Sequence, residues 1–221
     1  MQRLEQQLTF LRETDKLKSI YRNTILLDEA QPVQAFGLEL AGRHSPTTSQ
    51  FIDERLENDA EHSWHICVCA MLLREHFDEP GLDFERLLKM LLVHDLVEIY
   101  AGDTYAYADT ALLDTQHDRE AESAAKLFSL LPPDQTTEFR ALWDEFEEKK
   151  TIEAKTARGI DSFMPFYWNY LTQGKQWLKL GATRDKVLKR CGLIKLGSAR
   201  LYEFAMQILD ESVEKGYLPI E

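Results

Sequence analysis

The sequence predicts an all-α fold that forms a single domain over residues 1–221. In several segments the apolar residues recur at i, i+3, i+4 and i+7, which is the period of an amphipathic helix. The chain contains no strong run of alternating polar and apolar residues, the pattern typical of strands, and no internal repeat. With 221 residues, of which 44% are hydrophobic, it is long enough to bury a core without disulfides.

The N-terminal segment is predicted to be helical at first and irregular afterwards. Leucine and isoleucine residues between Leu4 and Leu26 indicate one or two helices. Residues 29–53 contain Pro32 and Gly37 and show no sustained period. We therefore expect a long insertion loop there, with room for a short helix, of the kind that often forms a lid or a binding loop.

Helical periodicity resumes at Ala60 and is interrupted by Pro80 and Gly81. Asp83 is the predicted N-cap of the next helix, which ends near Gly102. The apolar residues of this helix cover most of its circumference, so we expect it to be central and buried. The remaining predicted helices lie at about residues 119–131, 139–146, 151–171 and 198–216, the last being a C-terminal amphipathic helix capped by Ser198.

The net charge argues against a broad nucleic-acid-binding surface. The chain has 26 Lys and Arg against 38 Asp and Glu, a formal charge of −12 at pH 7. So acidic a surface repels phosphate backbones. A small anionic substrate is still compatible with this composition, because a metal ion can invert the electric field inside a pocket.

Cysteine content and hydropathy predict a cytoplasmic protein with no membrane partner. Three cysteines are too few, and an odd number, for a disulfide framework, which indicates a reducing compartment. The first residues, Met1 to Gln7, are too polar for a secretion signal. The longest apolar run, Ile66 to Leu73, is far too short to cross a bilayer.

Three ionisable residues, His94, Asp95 and Glu98, interrupt the apolar sequence of the predicted central helix. A buried ionisable group destabilises a fold strongly unless it has a partner, and one divalent cation satisfies an imidazole and a carboxylate together. His94 and Glu98 share a helix face, while Asp95 lies about 100° around the axis. The alternative is a histidine bonded to a neighbour, with the two acids at a solvated helix end.

Other candidate ligands precede and follow this helix. His62 and His65 are three residues apart at the start of the preceding helix, so either can face the central helix. Asp161 lies among apolar residues of a later helix, and Asp103 directly follows Gly102. Taken singly, each is more often a hydrogen-bonded histidine, a solvent-facing carboxylate or a turn residue than a ligand.

Taken together, four motifs form a pattern in a fixed order. They are Glu57–His65 (ENDAEHSWH), Lys89–Glu98 (KMLLVHDLVE), Ala101–Thr104 (AGDT) and Asp161. This pattern resembles the HD-domain metal-dependent phosphohydrolases, and within them the branch that contains the 5′-deoxynucleotidases. The resemblance covers about residues 15–178 and implies an HD-type helical bundle. Residues 29–53 are then an insertion and about 183–221 a C-terminal helical extension.

The resemblance implies roles for seven residues. Glu98 and Asp103 match acidic residues near the metal-bound water and the leaving group, and are therefore the expected catalytic residues. Arg22 matches an arginine that the deoxynucleotidases use to bind the phosphate. The implied metal ligands are His62, His94, Asp95 and Asp161.

Two departures from the family pattern concern the substrate pocket. The deoxynucleotidases follow the arginine with tryptophan, where this chain has Asn23, and this bears on a stacking contact with a nucleotide. Residues 29–53 are longer than the corresponding link, so we expect a different pocket roof. His65 lies outside the ligand pattern and is expected to be structural.

Two imidazoles and two carboxylates favour one divalent ion, namely Mn²⁺, Co²⁺, Fe²⁺ or Mg²⁺, with Zn²⁺ as an alternative. Such an ion activates water and neutralises phosphoryl charge. The resemblance thus implies hydrolysis of phosphomonoesters, above all 5′-(deoxy)nucleoside monophosphates, with a small phosphate compound as the only partner apart from a second subunit. The alternatives are another phosphate substrate (a cyclic nucleotide, an alarmone or a nucleoside triphosphate) and a non-enzymatic helical binding module with a structural metal. We expect a homodimer, because two-fold dimers are the commonest assembly.

Overall fold

A computed structural model describes residues 2–26, 33–35, 38–40, 55–105 and 115–220, and these are predominantly helical. The predicted all-α class is therefore confirmed. Short 3₁₀ turns lie at Asp15–Ser19, Arg74–His76, His94–Val97 and Ile194–Leu196. The α-helices are α1 (Gln2–Thr14), α2 (Asp59–Leu73), α3 (Phe84–Val93), α4 (Glu98–Ala101), α5 (Gln116–Phe128), α6 (Pro133–Glu148), α7 (Ile152–Leu171), α8 (Lys175–Lys179), α9 (Arg184–Cys191) and α10 (Ala199–Glu214).

Two short antiparallel strand pairs accompany the helices and were not predicted. β1 (Tyr21–Ile25) pairs with β4 (Leu56–Asn58), and β2 (Val33–Ala35) pairs with β3 (Leu38–Leu40). The prediction of helix as far as Leu26 is therefore wrong, because the chain turns extended at Ile20.

The residues of β1 explain this difference. Thr24 and Ile25 are β-branched, and both are buried in the extended conformation. In the predicted insertion, residues 33–35 and 38–40 form strands rather than the short helix allowed for. The other residues of 29–53 lie outside the described part of the chain.

The central helix of the bundle is α7, which packs against α2, α3, α6 and α10 as well as β1. Most of its residues are buried, including Ile160, Phe163 and Met164. The helix that begins after Asp83 was expected to be central, but α3 is amphipathic and leaves Leu92 52% exposed. Its buried side, which includes Leu87 and three further residues, faces α7.

Local capping fixes where three of these helices begin. The side chains of Asp83, Thr151 and Ser198 each accept a hydrogen bond from the backbone N–H three residues later, at 3.0 to 3.2 Å. Each bond satisfies an amide that has no partner within the helix. The caps predicted at Asp83 and Ser198 are therefore confirmed.

The C-terminal segment folds back onto α7 by close backbone contact. A Cβ atom added at Gly159 would lie 3.2 Å from the carbonyl oxygen of Ile194, and one at Gly197 would lie 2.5 Å from Cα of Thr156. These contacts hold α9 and α10 beside the central helix. Within the described ranges, no helix is long and apolar enough to span a membrane.

Two glycines with positive φ provide a matched test of this packing. Gly174 and Gly181 have φ of +71° and +65°, but a Cβ at Gly174 would lie 1.9 Å from the carbonyl oxygen of Tyr217, whereas Gly181 faces open space. We expect Gly181→Ala to cost about 1–2 kcal/mol of unfolding free energy, from backbone conformation alone. Gly174→Ala should cost clearly more, because the backbone of Tyr217 must move. Urea denaturation measures both, and equal losses would contradict the contact.

Candidate metal centre

Three helical segments bring the four predicted metal ligands together in the core. His62 lies near the start of α2, His94 and Asp95 begin the 3₁₀ turn after α3, and Asp161 lies midway along α7. None of the four exposes more than 6% of its surface. The fold therefore places all four candidates in one buried cluster, at the junction of α2, α3 and α7.

The distances within this cluster are close to those between donor atoms that share an ion, two within that range and two slightly longer. Oδ1 of Asp161 lies 3.2 Å from Nε2 of His62 and 3.7 Å from Nε2 of His94. The Asp95 carboxylate lies 3.0 Å from Nε2 of His94 and 3.9 Å from Nε2 of His62. Donors bound to one ion at about 2.1 Å are roughly 3.0–3.4 Å apart. His62, His94 and Asp161 offer donor atoms within 4.8 Å of one another, a grouping that could hold a cation, and Asp95 lies at its edge.

The hydrogen bond of His94 tests whether the donor set suits a metal. Nδ1 of His94 lies 2.9 Å from the carbonyl oxygen of Leu91, which can only accept, so Nδ1 carries a proton and donates it. Nε2 is buried, has no hydrogen-bond partner among the described residues, and faces carboxylate oxygens. It must therefore bind a second proton or a cation. Two imidazole nitrogens and carboxylate oxygens fit a divalent transition metal.

The negative charge of the neighbouring carboxylates also shifts the pKa of His94. Burial by itself lowers this pKa, but the carboxylates of Asp95 and Asp161 outweigh burial and raise it to about 10. Conversely, burial favours the neutral acid at Asp161, and the neighbouring imidazoles of His62 and His94 outweigh it and hold the pKa well below its usual range. A site that attracts a proton this strongly also attracts a metal cation.

Glu57 is a buried acid that sequence reasoning left without a role. Its Oε2 lies 3.4 Å from Nδ1 of His62, on the side of the ring away from Asp161. A carboxylate behind a histidine fixes which nitrogen faces the ligand centre, as is usual in metal sites. Glu57 is the first residue of the motif Glu57–His65 and directly precedes Asn58, the N-cap of α2. Only the fold shows that it faces His62.

A change of helix type sets the direction of His94 and Asp95. The predicted helix from Asp83 to Gly102 is not continuous, because α3 ends at Val93 and a 3₁₀ turn precedes α4. The His94 ring bonds to the carbonyl of Leu91, which a continuous α-helix would use for the amide of Asp95. This local competition places both side chains toward α7.

A proline within α7 leaves the backbone carbonyl of Asp161 without its usual helical hydrogen bond. Pro165 lies inside the helix and has no N–H to donate to the carbonyl of Asp161, one turn earlier. The following turn is tied by a bond from Nδ2 of Asn169 to the carbonyl of Pro165, at 2.9 Å. Pro165 and Asn169 both line the cavity beside the cluster.

Arg22 reaches the cluster from β1. Its Nη1 lies 2.6 Å from Oδ2 of Asp95 and 3.3 Å from Oδ1 of Asp59, and its Nη2 lies 4.0 Å from Oδ1 of Asp161. The β1–β4 pair positions it, since β4 runs directly into α2 and the amide of Asp59 bonds to the carbonyl of Ile20 at 3.0 Å. The unpredicted strands thus bring the predicted arginine to the site.

A second group of carboxylates lies beside the first. Asp59, Glu98 and Asp103 offer oxygens within 4.8 Å of one another, a grouping that could itself hold a cation. Burial, followed by the charge of Asp95, raises the pKa of Asp59 to about 7 and that of Glu98 well above its usual value. Burial also raises the pKa of Asp103. Sequence reasoning found Glu98 and Asp103 but missed Asp59.

A cavity of about 120 Å³ opens between the two groups of carboxylates. Arg158 and Arg190, which sequence reasoning missed, line it together with Arg22. Nη1 of Arg158 lies 3.3 Å from Oδ2 of Asp161, and Nη2 of Arg190 lies 3.7 Å from the same oxygen. His65 is outside this cavity, with its ring edge-on to Trp168 at 4.6 Å, as expected for a structural residue.

Residues 42–196 match the family model of the HD domain, which is more than half of the chain. The chain belongs to the HD domain family. The predicted family resemblance is therefore confirmed. The matched residues include every predicted site residue except Arg22 and extend beyond residue 178, the expected end of the core.

Named relatives and a solved structure of similar fold add detail to this membership. The HD-family chain is 32% identical over 108 residues to the human 5′-deoxynucleotidase HDDC2, and 30% identical over 114 residues to the 5′-deoxynucleotidase hdd1 of Schizosaccharomyces pombe. The matches cover 49% and 50% of this chain, and it spans about half the length of each relative, 50% and 55%. A crystal structure from Magnetospirillum magnetotacticum MS-1, described as a predicted metal-dependent phosphohydrolase, is 41% identical with a TM-score of 0.81, over 98% of this chain and 96% of that one.

Metal binding can be measured through stability. A ligand present at 100 times its Kd stabilises the folded protein by about 2.7 kcal/mol, which corresponds to roughly 5–10 °C in Tm for a chain of this size. We expect Mn²⁺ or Co²⁺ to raise Tm in this way, and Asp95→Asn to abolish the increase while helical content stays the same. Asp210→Asn, on the exposed surface of α10, is the control and should keep the full increase. An unchanged response in Asp95→Asn would remove Asp95 from the ligand set.

Proposed function

We propose that this HD-domain protein is a metal-dependent phosphohydrolase of phosphomonoesters, most readily 5′-(deoxy)nucleoside monophosphates. The convergence of His62, His94, Asp95 and Asp161 around one point, with Arg22 beside them, carries the proposal. The names of the curated relatives and of the similar crystal structure support it. The concave shape of the cavity beside these residues also favours a small phosphate ester over a polymer.

We propose that the two imidazoles and the carboxylates of Asp95 and Asp161 hold one divalent ion, with Mn²⁺, Co²⁺, Fe²⁺ and Mg²⁺ as the first candidates. When bound, such an ion activates water and offsets the charge of the phosphoryl group. Glu57 would contribute by holding Nδ1 of His62, so that Nε2 stays on the side of Asp161 and is free to act as a ligand.

Arg22 binds the phosphate in this proposal. Its guanidinium already lies among carboxylates at 2.6 and 3.3 Å, at the wall of the cavity, and its planar fork suits two phosphate oxygens. Burial lowers the pKa of Arg22, but the surrounding acids, Asp95 first, outweigh burial and raise it well above its usual value. The charge is therefore permanent at any physiological pH.

In this proposal Glu98 and Asp103 are the candidates for general acid catalysis. Burial and the neighbouring charge of Asp95 raise the pKa of both carboxyl groups, which favours their protonated forms, and in this proposal one of them passes a proton to the leaving oxygen. Arg119 keeps the segment around Asp103 in place, donating to the carbonyl of Ala101 at 3.2 Å and the hydroxyl of Thr104 at 3.0 Å.

The second candidate is an HD hydrolase of another phosphate compound. Asn23, at the wall of the cavity, stands where the deoxynucleotidases have tryptophan, and this observation favours a substrate other than their nucleotides. A panel of nucleoside monophosphates, cyclic nucleotides, nucleoside triphosphates and alarmones, assayed for hydrolysis with Mn²⁺ and Co²⁺, separates the two. No hydrolysis of any compound by the metal-loaded protein would leave the non-enzymatic binding module.

We expect Glu98→Gln to lower kcat by about 10²–10⁴-fold, because the amide cannot transfer a proton. The stabilisation by metal should persist, since the ligand cluster is intact. Steady-state phosphate release, together with the Tm shift, measures both effects. Glu122→Gln, on the surface of α5, is the matched control. Loss of the metal-induced Tm shift in Glu98→Gln would instead make Glu98 a ligand.

We also propose that the protein is cytoplasmic and forms a homodimer. Cys67, Cys69 and Cys191 are free, and burial raises the pKa of each thiol, as suits a reducing compartment. A largely apolar groove of about 530 Å³ lies between α2, α7 and α10, next to Leu72, whose surface is 73% exposed. Such a groove is a natural contact for a second copy.

Light scattering after gel filtration tests the assembly. We expect a mass of about twice 25.7 kDa at micromolar concentration and a shift to the monomer mass in Leu72→Glu. Lys179→Glu, at a polar surface position of α8, should leave the mass unchanged. A monomeric parent protein would contradict the dimer without affecting the proposed reaction.

A further inference from the structure

The C-terminal helices bring a further arginine, Arg190, to the cavity. Arg190 lies near the end of α9, beyond the core expected from the family resemblance, and its side chain is 28% exposed. The buried residues Val187 and Cys191 anchor α9 against the core. The position of Arg190 beside the cavity is thus set by packing.

Arg190 differs from Arg158, the other arginine on this side of the cavity. Arg158 is engaged by Glu147 at 2.6 Å and by Asp161 at 3.3 Å, and it lies over the ring of Phe146 at 4.2 Å. Within residues 55–105 and 115–220, Arg190 has one ion pair, with Asp161 at 3.7 Å, which is longer than a hydrogen bond. Its guanidinium is therefore available for a ligand in the cavity.

Arg22 and Arg190 lie near different oxygens of the same carboxylate. Nη2 of Arg22 lies 4.0 Å from Oδ1 of Asp161, the oxygen that also faces His62, whereas Nη2 of Arg190 lies 3.7 Å from Oδ2. An anion placed beside Asp161 in the cavity is consequently within reach of both guanidinium groups.

We propose that Arg190 is a second phosphate-binding residue, which holds the substrate phosphate together with Arg22. The inference rests on the proposed function, because it concerns the same cavity and substrate. Two permanent positive charges match the dianion of a phosphomonoester, whereas a phosphodiester carries a single negative charge. Arg190 thus selects monoesters over diesters. It also supplies local positive charge in a chain whose formal charge is −12.

Direct binding of inorganic phosphate tests the proposal without turnover. We expect Arg190→Gln to raise the Kd for inorganic phosphate by about 10- to 100-fold in calorimetry at saturating divalent metal, and Arg190→Lys to recover part of that loss. Arg184→Gln, on the same helix but paired with Asp210 at the surface, should leave the Kd within about twofold, the scatter expected of an exposed pair. The Kd for the metal should be unchanged in all three variants.

Two outcomes of this experiment would overturn the proposal. A phosphate Kd in Arg190→Gln within twofold of the parent value, or a loss of metal affinity that accounts for the whole effect, would make Arg190 a support for Asp161 and overturn the proposal. Selectivity is a second measurement: Arg190→Gln should raise KM for p-nitrophenyl phosphate far more than for bis(p-nitrophenyl) phosphate. Equal changes would overturn the selection of monoesters.

Failure of this inference can be distinguished from failure of the proposed function. If the parent protein hydrolyses phosphomonoesters and Arg190→Gln binds phosphate normally, only the inference fails. If the parent protein hydrolyses no phosphate ester but loses phosphate binding in Arg190→Gln, the anion site stands and the reaction is wrong.

Discussion

Buried carboxylates need positive charge, and the rest of this structure depends on that requirement. Asp59, Asp95, Glu98 and Asp161 each expose 6% or less of their surface, in a core where an unpaired ionised acid is strongly destabilising. The guanidinium of Arg22 lies between them and contacts Asp95 and Asp59 directly. Truncating Arg22 would therefore leave Asp59 and Asp95 with less positive charge nearby.

The compensating groups come from segments far apart in the chain, so the site and the fold cannot be separated. Arg22 comes from β1, His62 from α2, Arg158 from α7 and Arg190 from α9, and every one of them contacts Asp161. The β1–β4 pair is short and would be marginal in isolation. Two contacts hold the pair in the bundle: the ion pairs of Arg22 with the buried acids, and the hydrogen bond from the amide of Asp59 to the carbonyl of Ile20.

Helices and motif residues could be predicted from sequence because their signals are local. The caps at Asp83 and Ser198 need only three neighbouring residues, and the apolar period of α7 is continuous along the chain. Arg190 and Asp59 carry no such signal, since a charged residue on a helix is usually solvated, and only tertiary contacts show otherwise. The strand pairs were missed for a related reason: strands of three to five residues cannot establish an alternating pattern.

Neighbours, and not residue type, divide the acids into two groups. Asp95 lies beside His94 and Arg22, which outweigh its burial and lower its pKa, whereas at Asp59 burial and the charge of Asp95 outweigh Arg22 and raise the pKa to about 7. Arg22 contacts one acid from each group, so an anion that draws its guanidinium away leaves Asp95 with less positive charge nearby. Asp95 then gains more from a cation. Binding of phosphate and binding of metal should therefore strengthen each other, and thermodynamic linkage makes the factor the same in both directions.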